Sequence, residues 1–457
     1  MSTQSLPLLS VQAPKDVSIS AIEAELDGIW RSYNSGDENG EIPIASRAST
    51  FTLIIYEPEE TQYLLAVLKF YSGPIDGIAG PATESALKVA QKAYGLTVTG
   101  KADPETLAKL REAVAKKEQA GAEIPVDQPI QSETKLRVAD AIAAANPCRI
   151  IALVPTSGED EGVTAQVSAY CPINKRNQNR LICCEYITLT GTVAALERIA
   201  GVVEALTIGE LPKFLWWKAA PDANNLLFKR LSNVCSSVII DSSFFGEPET
   251  DLIHAQALVS QGLPIADLNW SRLGAWQELT AEAFDPPERR DAIMEVDRVT
   301  IDYEKGNPAQ ALLFLGWLAS RLQWRPISIE RELGETKADY DITRVKFFMA
   351  EQQRSIEAEL AGAPTADVGE VAGDLVGLRL SSTNLQADCC TVLCSETTGC
   401  MRMEAGGGAQ ACRIQQVTPL TDQKAEFLLS QQLRQSGSDV LYQESLVVTA
   451  QILQLPV

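Results

Sequence analysis

A single histidine, His254, stands in a chain of 457 residues. It lies inside an apolar helical stretch and reads as a packed or surface residue, not a general base. That count removes most His-based triads and every multi-histidine metal site. No phosphate-binding loop and no G-x-S-x-G elbow occurs. Gly369, Gly373 and Gly377 have the wrong spacing for a dinucleotide fingerprint, and Gly406 to Gly408 join two expected strands. The acidic loop "SGEDEG" (Ser157 to Gly162) reads as solvated surface and not as a cation site. These residues argue against an enzyme. No catalytic residue, metal or cofactor is expected.

Ten cysteines carry what reactivity there is. A hairpin of "CCTVLCSE" and "GCMRMEA" turning at Thr397-Thr398 puts Ser395 opposite Cys400 and Cys394 opposite Met401. Continued across "GGGA", it puts Cys412 opposite Met403. Side chains alternate along strands, so Cys390, Val392, Cys394, Met401, Met403, Cys412 and Ile414 form an apolar core face. The polar face carries Cys389, Thr391, Ser395, Cys400, Arg402, Glu404 and Arg413, and leaves Cys389 and Cys400 as the most open thiols. The redox candidates are Cys389, Cys390, Cys394, Cys400 and Cys412. Zinc is disfavoured because paired C-x-x-C knuckles are missing. Cys183 and Cys184 point to opposite faces of one strand and are expected to pack as thiols.

The other candidates are aromatic and cationic. "GELPKFLWWKAAPDANN" places Trp216, Trp217 and Lys218 together, and "NWSRLGAW" offers Trp270, Arg272 and Trp276. Trp and Arg are enriched in interface hot spots. Trp270, Leu273, Trp276 and Leu279 also share helical spacing, which suits a core. For the Trp216–Trp217 pair, burial of both indoles and a partner-facing indole both stay open.

The elements that must hold these residues fall into an α/β part and an α+β part. Helix, strand, helix, strand is the pattern of a mainly parallel sheet with covering helices. It begins with a helix capped at Ser20–Glu23 and the strand "STFTLIIYE", within residues 1–58. A helix with Val138, Ala141, Ile142 and Ala145 on one face and the strand "CRIIALVP" resume it over residues 135–325. Residues 326–457 read as an antiparallel β-meander with a closing helix from about Asp422 to Gln435. The net charge of −21 disfavours nucleic acid and anionic membrane. The longest apolar run, Ala311 to Ala319, is far short of the about 20 residues of a span. The N-terminus has no secretory pattern, so a cytoplasmic location is expected.

Residues 59–117 interrupt the α/β pattern. Their D-G-x-x-G-P-x-T signature (Asp76, Gly77, Gly80, Pro81, Thr83) resembles a three-helix peptidoglycan-binding-like module, here inserted and followed by a linker over 118–134. A structural or protein-contact role is favoured for it over glycan binding.

"NPCRIIALVP", "LPKFLWWKAAP", "IIDSS", "DLNWSRLGAWQELTAEAFDPP" and "FLGWLASRL" occur in an order that resembles the glucose-6-phosphate dehydrogenase assembly protein (OpcA) family. The cysteine-rich "CCTVLCSETTGCMRMEAGGGAQAC" resembles its form in oxygenic photosynthetic bacteria. The resemblance implies a non-enzymatic factor that binds glucose-6-phosphate dehydrogenase, promotes its active oligomer and responds to thioredoxin. Trp216, Trp217, Lys218, Trp270 and Arg272 are the partner-binding candidates that the sequence adds. The competing readings are a peptidoglycan-associated scaffold and a sugar-phosphate enzyme.

Overall fold

The run Thr52–Tyr56 (TLIIY) has no polar side and is buried along its whole length, as a strand covered on both faces must be. Arg149–Pro155 (RIIALVP) is buried in the same way. The computed structural model describes the chain outside residues 1–7, 12–14, 35–43, 48, 58–59, 72–80, 120–141, 143–146, 157–158, 172–179, 335–338, 365–370, 372, 385, 397–399, 406–413, 420–423, 436 and 457. The described chain forms two units, 1–240 with 429–435, and 241–428 with 436–457.

In the first unit the strands are β1 (Leu8–Val11), β2 (Lys15–Asp16), β3 (Ile44–Arg47), β4 (Thr52–Tyr56), β5 (Arg149–Pro155), β6 (Val163–Cys171), β7 (Arg180–Gly191), β8 (Lys213–Trp217) and β9 (Ser237–Ile240). Their order is β1-β6-β7-β5-β4-β8-β9, with β2 on β6 and β3 on β7. β7, β5, β4, β8 and β9 run parallel, whereas β6 is antiparallel to β7. The chain therefore winds outward from β4 to β5 and β7, then returns to lay β8 and β9 on the other side. This is the order of a dinucleotide-binding fold, and its direction reverses between β4 and β8.

The first helix, α1 (Ile19–Asn34), starts where the Ser18 hydroxyl accepts from Ala21 N, two residues before the expected cap. It is tied to the sheet by buried polar groups. Trp30 Nε1 donates to Glu185 at 2.8 Å, and Arg149 bridges Glu185 and Glu23, each at 2.8 Å. α2 (Glu60–Val67), α3 (Pro81–Ala93) and α4 (Pro104–Gln119) bury Leu65, Val67, Leu87, Ala90, Leu110 and Val114 against one another. Asp103 Oδ1 caps α4 by accepting from Thr106 N at 2.8 Å. Asp76, Gly77, Gly80, residues 120–134 and most of the helix read around Val138 lie outside the described residues. α5 (Val193–Arg198) and α6 (Ala200–Leu206) break at Ile199, and Asn225 caps α7 (Leu226–Val234).

The second unit has β10 (Ile265–Asp267), β11 (Arg298–Glu304), β12 (Arg325–Glu332), β13 (Asp341–Met349), β14 (Arg354–Ala363), β15 (Leu375–Ser381), β16 (Thr391–Glu396), β17 (Cys400–Ala405) and β18 (Ile414–Pro419). All but β10 join one eight-stranded sheet, ordered β12-β13-β14-β11-β15-β16-β17-β18. Among the described residues of this sheet β11 and β14 run parallel, and every other neighbouring pair is antiparallel. One face buries Ile329, Val345, Ala358, Ile301, Leu378 and Leu393. The other is exposed and charged.

The helices of this unit are α8 (Pro248–Ser260), α9 (Leu268–Arg272), α10 (Gly274–Glu282), α11 (Ala309–Arg321), α12 (Ala425–Gln432), which runs across the division, and α13 (Val440–Leu453). α11 is buried on nearly every side. It is crossed closely by α13, where Ser445 Oγ and Thr449 Oγ1 donate to the carbonyls of Leu313 and Leu312. Gly316 permits that approach, since a Cβ there would lie 2.2 Å from Thr449 Oγ1. α13 is not among the elements expected from sequence. Its apolar residues surround the helix and give no stripe, so only Asp439, which caps it through Tyr442 N, marks its start.

Candidate functional site

The topological switch point is where a doubly wound sheet binds a ligand. Here the strand ends that meet are Tyr56-Glu57 and Trp217-Lys218, because Tyr56 pairs with Trp217 in the parallel register. The two rings stack, with centroids 3.9 Å apart and planes 11° from parallel. Phe228 packs edge-on at 5.1 Å, and Trp217 Nε1 donates to the Ala220 carbonyl at 3.2 Å. Lys218 Nζ donates to both Glu57 oxygens at 2.9 Å and lies 4.1 Å from the centre of the Trp216 ring. At these strand ends the protein's own side chains thus pack on one another. After β4 the sequence reads Glu57-Pro58-Glu59-Glu60 in place of a glycine-rich turn. α2, the next helix, packs into the α3–α4 core.

The tryptophans answer the question left open by the sequence. Trp216 is 3% exposed and Trp217 1% exposed, so both indoles are core and neither is presented to a partner. Trp216 Nε1 makes no hydrogen bond among the described residues.

Trp270 and Arg272 are buried as well, within the second unit. Trp270 Nε1 donates to Asp439 Oδ2 at 2.8 Å, and Trp276 is core. Arg272 closes a two-pronged ion pair on Asp241, at 2.8 and 2.9 Å, with both side chains almost fully buried. The network continues through Asn269, whose Oδ1 accepts from Gln310, and Gln310 also donates to Asp374. Asn307 donates to the carbonyls of Ser242 and Ser243. Asp267 Oδ1 accepts from Ser242 N at 3.0 Å and Asn269 N at 2.9 Å, while Oδ2 has no partner among the described residues. Burial, followed by the charge of Asp241, pushes the Asp267 carboxyl up to about 6. Burial and the carboxylates of Asp267 and Asp439 raise the Tyr442 phenol far above its ordinary value. Sequence reasoning names Arg272 but misses Asp241, Asp267 and Asp374. "IIDSS" and "ADLNW" place the first two at strand ends, which is the available signal.

The cysteine-rich hairpin pairs one residue away from the expected register. Cys394 lies opposite Arg402, Ser395 opposite Met401 and Glu396 opposite Cys400. Residues 397–399 separate the strands, not the expected two-residue turn, and one step of register exchanges the faces of β16. Cys394 on β16 is half-buried, as is Cys390, and Cys389, which precedes the strand, is 1% exposed, the reverse of the expected order. Burial, with the nearby charge of Glu295, pushes the Cys389 thiol up to about 11. Cys412 lies outside the described residues. Cys184 is a buried thiol, 3.8 Å from that of Cys148, whereas Cys183 is disulfide-bonded and not the free thiol expected. Among the described residues no group of His, Cys, Asp and Glu is arranged to hold a metal ion.

Two family models described as belonging to a "Glucose-6-phosphate dehydrogenase subunit" match the chain, that of its N-terminal domain over residues 139–257 and that of its C-terminal domain over residues 263–446. The chain belongs to the OpcA family. Its relatives include a "Putative OxPP cycle protein OpcA" of Nostoc punctiforme, 61% identical over 100% of this chain and 97% of that protein. The protein of the same description in Synechocystis is 55% identical, over 99% of this chain and 95% of its own. Residues 57–110 match "Putative peptidoglycan binding domain". Among solved structures, a biliverdin reductase of Synechocystis is 8% identical, covering 68% of this chain and 92% of its own at a TM-score of 0.38. No helix among the described residues is long and apolar enough to cross a membrane.

Proposed function

We propose that this chain is a non-catalytic assembly factor and allosteric activator of glucose-6-phosphate dehydrogenase, working in the cytoplasm and in the oxidative pentose phosphate cycle. Family membership supplies the partner. The observation that supports the non-catalytic reading is the switch point, where Tyr56 stacks on Trp217, Glu57 holds Lys218, and the sequence after β4 has no glycine-rich turn. An activator must bind the active conformation of its target more tightly than the inactive one. The strands between Asp374 and Val417 are the docking element of this reading, since a sheet can cover or extend another protein's sheet. Their thiols make that affinity responsive to redox state, with thioredoxin as reductant. Cys394, half-buried on β16, is favoured as the responsive position. Residues 59–117 serve protein contact in this reading, and pelleting of the chain with purified wall material would overturn that part. The deciding experiment assays glucose-6-phosphate dehydrogenase with and without this protein under reducing and oxidising conditions. No change in rate, apparent affinity or oligomer size would sink the proposal.

A further inference from the structure

The exposed face of the eight-stranded sheet carries charge in stripes. On β12 the outward residues include Glu330 and Glu332, and on β13 Arg344 and Lys346. On β14 they are Glu357 and Glu359, and on β11 Arg298, Thr300 and Asp302. The strand register aligns Glu330, Arg344, Glu359 and Thr300 in one row, and Ser328, Lys346, Glu357 and Arg298 in the next. Neighbouring stripes pair sideways: Arg344 with Glu359 at 2.9 Å and Glu332 at 3.1 Å, Lys346 with Glu330 at 3.4 Å, and Arg298 with Glu357. Those side chains nevertheless remain 38% to 70% exposed. A shallow hollow of about 290 Å³ lies among them.

We propose that this face is the contact surface between two copies of the chain, packed sheet on sheet about a two-fold axis that runs along the strands between β13 and β14. That operation lays basic β13 over the acidic β14 of the second copy, Arg344 facing Glu359 and Lys346 facing Glu357, while on the flanks Glu330 meets Thr300, Ser328 meets Arg298 and Glu332 meets Asp302. A two-fold contact uses one patch on both copies and so requires self-complementarity, which the opposite signs of the two central strands, β13 and β14, supply. A chain with net charge −21 repels its own copies over most orientations. Here both signs are interleaved. Four strands about 4.8 Å apart and about 27 Å long give a footprint of roughly 500 Å² per copy. Two footprints reach about 1,000 Å², the lower end of specific interfaces, so the dimer is weak, reversible and salt-sensitive.

The test measures sedimentation of the full chain alone, without the dehydrogenase, so its outcome is separate from the assembly role. The wild type is expected to dimerise at tens of micromolar in low salt. R344E/K346E makes β13 and β14 both acidic, and E357K/E359K makes both basic. Each variant alone should dimerise at least about 100-fold more weakly, since like charges then face each other. An equimolar mixture of the two should recover the dimer, because opposite stripes meet again. Far-UV circular dichroism checks that each variant is folded, and recovery in the mixture separates loss of contact from a folding defect. A monomeric wild type at low salt, or an unchanged dimer in either variant, overturns the proposal. So does a mixture that stays monomeric when both variants are folded.

Discussion

Trp217 stacks on Tyr56 across the junction of β8 and β4, 3.9 Å between ring centroids. Parallel pairing puts these side chains side by side at the strand ends, where both are buried. Large-to-small replacement of a buried aromatic costs about 3–5 kcal/mol. Trp217→Ala and Tyr56→Ala should each lower the denaturation midpoint accordingly. A double-mutant cycle should return a coupling of about 0.5–1.5 kcal/mol, the range for aromatic pairs. A coupling near zero would mean that the stack is incidental.

Arg272 has its own expected signature. Removing one partner of a buried pair leaves an uncompensated charge, at about 3–5 kcal/mol, so Arg272→Ala should destabilise the second unit by that order. Lysine keeps the charge but not the fork that meets both oxygens of Asp241. Arg272→Lys should therefore recover only part of the loss. Urea denaturation followed by circular dichroism distinguishes the three proteins.

Asp267 makes stability depend on pH in a direction opposite to most carboxylates. Its folded value lies up at about 6, above the ordinary 3.8, so the folded state holds the proton more tightly than the unfolded chain. Stability is then greatest at low pH as far as this group is concerned. It falls as pH rises from about 4 to about 6 and is level above that, by on the order of 3 kcal/mol in all. Asp297 slopes the other way, because Thr383 and Arg354 hold its carboxyl low against the opposing effect of burial. The difference between wild type and Asp267→Asn isolates the first effect. The variant should gain stability relative to wild type as pH rises from 4 to 7; a constant difference would refute the assignment.

What the sequence disclosed depended on how local the signal was. The buried strands at Thr52 and Arg149 are runs of aliphatic residues, and any β-reading finds them. Whether Trp216 faces outward cannot be read from alternation, because a strand covered on both faces buries both parities. The register of β16 and β17 hinges on one residue of turn length. Asp241, Asp267 and Asp374 meet only because distant segments converge, and spacing along the chain does not carry that.

Gly316 offers a packing test away from the charged groups. A Cβ at this position would lie 2.6 Å from the Ser445 carbonyl and 2.2 Å from Thr449 Oγ1. Gly316→Ala should gain helix propensity, up to about 1 kcal/mol, and lose more by forcing α13 away from α11. Overpacking of this kind costs about 1–3 kcal/mol. The expected result is a lower thermal midpoint together with faster amide exchange along Val440–Leu453. A variant as stable as wild type would mean that the two helices separate freely.

The thiols should separate by burial when the native protein is alkylated and digested for mass spectrometry. Cys148, Cys184, Cys235 and Cys389 are buried, while Cys390 and Cys394 are half-buried. Burial raises the Cys235 thiol to about 12 and the Cys389 thiol to about 11. Since the thiolate is the reactive form, such groups react slowly at neutral pH even where a reagent reaches them. Among these six thiols Cys390 and Cys394 are therefore expected to label first, and Cys389 only with the fully buried set. Early labelling of Cys389 would favour the hairpin pairing expected from sequence, with Cys394 opposite Met401. Late labelling, with Cys394 early, supports the register in which Cys394 lies opposite Arg402. It would also leave Cys394 in reach of a reductant in the folded protein, as redox control through β16 requires.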